Sequence, residues 1–87
     1  MRIPLKKIWY LSKVKKIKIS DLGECMQKLV IEYIRKYKEE GTDFPKITLE
    51  YNRKSKMFDI IDGHNRMVAA KIIGLKDINA KIVNWNL

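Results

Sequence analysis

One cysteine and one histidine occur in this chain of 87 residues. Cys25 has no second thiol to pair with, so an intramolecular disulfide is excluded. A zinc site built from the usual four Cys and His ligands is excluded as well. No apolar run nears the roughly 20 residues that span a bilayer. Lys6, Lys7 and Lys13 interrupt any signal-peptide core. A cytoplasmic protein with no membrane partner is therefore the expectation. Neither a P-loop nor a dinucleotide fingerprint is present. There is no internal repeat, low-complexity tract or linker. Acids are also scarce, with 10 Asp and Glu against 19 Lys and Arg, giving a formal net charge of +9.

Such a balance favours nucleic acid, nucleotides or another anionic surface. Arg2, Lys6, Lys7, Lys13, Lys15, Lys16 and Lys18 all precede the first acid, Asp21. Lysine dominates arginine. It suits phosphate as a point charge, whereas arginine is the commoner reader of guanine. Any DNA contact is thus expected to be largely independent of sequence. Lys13, Lys15, Lys16 and Lys18, with Arg53, Lys54 and Lys56, are the candidate DNA-contacting residues. A merely solvated lysine surface is the alternative.

A chain of this length makes one domain, and one this short buries only about 60% of its unfolded surface. A homodimer would widen that thin margin. A hydrophobic content of 46% argues against disorder. Residues 1–12 read as a basic arm or an edge element, with the domain proper at 13–87. Trp9 and Tyr10, beside lysines, suit base stacking, but packing against the domain is the preferred expectation.

From Lys15 to Ile19 the chain alternates, predicting a half-buried strand with a basic outer face. Asp21 and Glu24 have the spacing of a capping box. Met26, Leu29, Val30, Tyr33, Ile34 and Tyr37 then form one helical stripe, and Gly41 ends the helix. Ile47, Leu49 and Tyr51 alternate as a strand. Asn52 to Lys56 is a polar turn, and Met57 to Ile61 returns as the second arm of a hairpin. A short helix follows to about Ile73, packing Ala69, Ala70 and Ile73 on the sheet. Gly74 closes it. Ile78, Ala80 and Ile82 alternate as a last strand. Trp85 is read as a cover over the core or over the site. The fold class is α+β, a single small domain whose mixed β-sheet is packed by two main helices.

The most informative stretch runs from Phe58 to Lys71. An apolar strand enters Asp62, Gly63, His64, Asn65 and Arg66, and a helix opens at once. Free N–H groups and the positive end of the helix dipole attract phosphate there. Gly63 permits close backbone approach or a positive φ. Arg66 can offer a bidentate fork to an anionic oxygen; a salt bridge to Asp62 is its plain alternative. His64 can bind phosphate or move a proton, or simply lie at the surface. Asp62 reads as a base, a metal ligand or a helix cap. Glu24 is a further acid that the fold could bring near the loop. No metal cluster is visible; Mg²⁺, which takes one or two carboxylates plus phosphates, would arrive with a nucleotide.

This stretch, followed by Gly74, Leu75 and the strand to Val83, resembles the second motif of the ParB/sulfiredoxin-like superfamily. Members read as strand, then Asp-Gly-His-x-Arg or Gly-Glu-Arg-Arg, then a helix with Ala-Ala, then Leu-Gly-Leu and a closing strand. The resemblance covers roughly Lys13 to Val83. It implies that Gly63, His64, Asn65 and Arg66 contact the phosphates of a nucleotide such as ATP, ADP or CTP. It also implies catalysis at Asp62, by likeness to a free-serine kinase. Two departures matter. Sulfiredoxins carry a cysteine in their Gly-Cys-His-Arg loop where this chain has His64, so sulfinic-acid reduction is not expected; Cys25 lies elsewhere, near a helix start. Asn65 stands where many relatives have a second histidine or an arginine. Partition proteins also add a helix-turn-helix unit after this one, and the chain stops at Leu87.

Three function classes follow. The first is a ParB-like module that binds a nucleotide at Asp62–Arg66 and associates with DNA through its lysines. The second is a small phosphotransferase, NTPase or nuclease that uses Asp62, His64 and Arg66, with Asp62 and His64 catalytic. The third is an adaptor whose loop binds nothing.

Overall fold

The computed structural model describes residues 1–84; Trp85 lies outside the described residues. In order come β1 (Arg2–Pro4), α1 (Trp9–Ser12), α2 (Glu24–Glu40), β2 (Ile47–Asn52), β3 (Met57–Asp62), α3 (His64–Ile73) and β4 (Asp77–Val83). The four strands form one mixed sheet in the order β1-β4-β2-β3. β2 and β3 are an antiparallel hairpin, while β2 and β4 run parallel with Ile47 opposite Ala80. A parallel pair needs a long crossover, and α3 lies within the one used here.

Burial follows from this arrangement. α3 packs on β2 and β4, and α2 packs on α3. Caught between sheet and helix, α3 buries four consecutive residues, Met67, Val68, Ala69 and Ala70. The two alanines let the layers approach closely. Ile47, Leu49, Ile78 and Ala80 meet them from the sheet, and Val30 from α2. Phe44 is covered by Tyr37 at a ring separation of 5.5 Å and by Tyr33 at 6.0 Å.

Residues 1–12 are part of this core. β1 pairs with β4, and Ile3, Leu5, Ile8 and Leu11 are buried. Ile8 also forms an isolated parallel bridge with Phe58 of β3. The chain that begins on one edge strand therefore reaches the opposite edge within a few residues.

Four expectations need correction. Residues 15–19 do not form a strand; the segment is irregular and ends in a 3₁₀ turn at Ile19–Asp21. Ile17 and Ile19 are only half-buried and find no strand to pair with, so alternation alone did not suffice. Asp21 does not cap α2. Its N–H closes the 3₁₀ turn on the Lys18 carbonyl, and Gly23 takes the N-cap place without a side-chain bond, so Glu24 has no capping box to complete. Leu29 is half exposed on the outer side of the α2 stripe. Trp9 and Tyr10 do not pack inward: they are 46% and 45% exposed. No helix among the described residues is long and apolar enough to cross a membrane.

Candidate functional site: the N-terminus of α3

The approach to the site is shaped by a β-bulge. Leu49 pairs with Ile60, but its neighbour Thr48 pairs with Asp62, leaving Ile61 as an extra residue on β3. A one-residue insertion reverses the faces of everything beyond it. Without it, Asp62 would share the inward row of Phe58 and Ile60. With it, the Asp62 carboxylate is thrown outward and lies 76% exposed.

Gly63 comes next and sets the start of α3. It has φ +105°, and a Cβ there would lie 2.5 Å from Ile47 Cγ2 and 3.2 Å from Arg66 Nη2. Both readings of this glycine hold: a positive φ and a close approach. The first N–H bonded back along the chain is that of Met67, to the Gly63 carbonyl at 2.9 Å. The N–H groups of His64, Asn65 and Arg66 thus have no intrahelical acceptor, no side chain caps the helix, and its first turn carries no acid. Asp62 is not a helix cap. Its carboxylate accepts from Arg66 Nη2 at 3.3 Å instead.

Arg66 is the most constrained side chain of the group, only 16% exposed. Its Nη1 donates to the Lys46 carbonyl at 2.7 Å and more weakly to that of Pro45 at 3.4 Å. It thereby ties α3 to the chain that leads into β2. Sequence reasoning named the Asp62 salt bridge but not these carbonyls; no local signal reports a partner 20 positions away. His64 is exposed, and Asn65 is half-buried.

The structure therefore gathers Asp62, Gly63, His64, Asn65 and Arg66 around one uncapped helix end. Glu24 forms no hydrogen bond or ion pair with them, and no group of three or more His, Cys, Asp or Glu that could hold a metal occurs among the described residues. Cys25 is exposed in the first turn of α2. A cavity of about 730 Å³ lies at the other end of α3, between Leu5, Leu11, Lys71 and Lys76, and does not include this loop.

The lysines form a second surface. Lys13, Lys15, Lys16 and Lys18 are exposed along the irregular segment, and Arg53, Lys54 and Lys56 are exposed on the β2–β3 turn. The Asn52 side chain shapes that turn by accepting from the N–H groups of Lys54 and Ser55. Ion pairs involve Arg2, Arg35 and Arg66 but no lysine among the described residues.

No family model and no curated protein matches the sequence. The folded chain is similar to the crystal structure of sulfiredoxin from Arabidopsis thaliana, with a TM-score of 0.62 and 21% sequence identity over 94% of this chain and 81% of that one. The chain has the ParB/sulfiredoxin-like fold.

Proposed function

We propose that this ParB/sulfiredoxin-like fold is a phosphate-recognising module that binds a nucleotide at the N-terminus of α3 and associates with DNA through its lysines. One observation carries the reading: α3 opens with three N–H groups that have no intrahelical acceptor, no side-chain cap and no acid in its first turn. Orphan donors and the helix dipole both favour an anion there. Arg66 Nη2 lies beside Gly63, and a phosphate oxygen can take it over from Asp62 because that contact is long and exposed. Nη1 stays on Lys46 and keeps the guanidinium in place. Asp62 is the loop's carboxylate and would contact a Mg²⁺ ion that arrives on the nucleotide.

The test is calorimetric titration of ATP, ADP and CTP, each with Mg²⁺, into the wild type and His64→Glu. His64 is exposed at the first position of α3, so an acid there favours the helix dipole and spares the fold. It also repels phosphate. Binding by the wild type and its loss in a normally folded His64→Glu protein support the site. Equal binding by both proteins, or binding by neither, refutes it.

A further inference from the structure

The exposed aromatic pair of α1 points to a ligand that neither phosphate recognition nor packing explains. Among the described residues, Trp9 and Tyr10 are the only exposed aromatic side chains. Tyr33 and Tyr37 lie against Phe44, and Tyr51 against Phe58. α1 buries Leu11 and turns its two largest rings to water. Leaving so much apolar ring area solvated forgoes burial that a chain this small could use.

The surroundings of the pair are strongly one-signed. Lys13 Nζ sits 5.6 Å from the centroid of the Trp9 ring. Lys6 and Lys7 precede the pair, and Lys15, Lys16 and Lys18 follow it, all exposed. The parallel Ile8–Phe58 bridge puts Ile8 beside the start of β3, and α1, which follows, packs on β3. Lys56 is two residues from Phe58, so the β2–β3 turn with exposed Arg53, Lys54 and Lys56 lies near that bridge. Asp59, the nearby acid on β3, is half-buried and accepts from the Asn52 amide.

We propose that α1 and the β2–β3 turn form a single-stranded nucleic-acid platform. Trp9 and Tyr10 stack on unpaired bases, and Lys13 to Lys18 with the turn residues meet the phosphates on either side. Flat rings interleaved with cations suit single strands because every base has a π-face, whereas a duplex keeps its bases stacked on each other. A duplex would meet the lysines alone. The inference rests on the nucleic-acid half of the function proposed above and is independent of the α3 site.

The test compares a labelled thymidine oligonucleotide, a uridine oligonucleotide and a DNA duplex of equal length by fluorescence anisotropy. The proteins are the wild type, Trp9→Ala, Trp9→Phe and Tyr10→Ala, with thermal melts confirming that each folds. Trp9→Ala is expected to weaken single-strand binding roughly 5- to 150-fold, the range for losing one stacked base, with little change for the duplex. Trp9→Phe keeps most of the affinity. In Trp85→Phe, which leaves Trp9 as the sole tryptophan, the oligonucleotide quenches the remaining fluorescence. Loss of affinity that is equal for duplex and single strand, or absent for both, overturns the platform while leaving general nucleic-acid association standing. Failure of the wild type to bind any of the three overturns both.

Discussion

Gly63 lies against Ile47 so closely that a Cβ on the glycine would sit 2.8 Å from Ile47 Cβ as well as 2.5 Å from its Cγ2. Ile47 is fully buried at the start of β2, so it cannot swing away. Gly74, at the other end of α3, also has a positive φ, +90°, but open space around it. The pair separates two costs. Gly74→Ala carries backbone strain alone, about 1–3 kcal/mol. Gly63→Ala adds overpacking of about 1–3 kcal/mol. Urea unfolding of the two variants should place Gly63→Ala clearly below Gly74→Ala. Equal midpoints would mean that contact with Ile47 does not constrain the loop.

Asp62 gives a prediction with a sign. Its carboxylate holds Arg66 Nη2 and adds negative charge beside the uncapped helix end. Asp62→Asn should therefore tighten binding of a nucleotide in the absence of Mg²⁺, and reduce the gain that Mg²⁺ brings. Calorimetry with and without the metal reads both effects. Weaker binding in both conditions would show that the carboxylate itself recognises the ligand.

Ile8 ties the first segment to the far edge of the sheet and has no exposed surface. Ile8→Ala should cost about 2–5 kcal/mol through lost burial and the cavity left behind. A thermal or chemical melt checks it. A near-neutral result would mean that residues 1–12 dock only loosely on the rest of the core.

Acid should weaken one feature of α2. Glu32 accepts from Arg35 Nη2 at 2.5 Å and Nε at 3.2 Å, and this contact holds its carboxyl below the usual glutamate value. A depressed carboxylate pKa stabilises the fold above the unfolded-state value and ceases to do so as pH falls through the folded one. Glu32→Gln should thus melt slightly below the wild type at neutral pH, and the gap should close in acid. The pair is exposed, so salt should shrink the gap too. A gap that persists at acidic pH would contradict the assignment.

Elements whose pattern is local were legible in the sequence. The hairpin, α3 with Gly74 and the stripe of α2 each write their period into adjacent residues, and the motif at Asp62–Arg66 marked the strand-to-helix junction. What was not legible depended on distant partners. Lys15 to Ile19 alternates like a strand, but it pairs with no strand of the sheet. The bulge at Ile61 is set by register with β2 and leaves no mark in the spacing of β3. Arg66 bonds to carbonyls of Pro45 and Lys46, which carry no side-chain signature. Trp9 and Tyr10 look like core residues until α1 is seen to bury Leu11 instead.

The most direct test of the central claim is an amide NMR titration of the ¹⁵N-labelled protein with ADP and with inorganic phosphate. Phosphate recognition at α3 predicts that the His64, Asn65 and Arg66 amides shift with both ligands, in step and with saturation, while the amides of α1 respond far less. Shifts confined to other elements, or none at concentrations that saturate a nucleotide-binding protein, would contradict it.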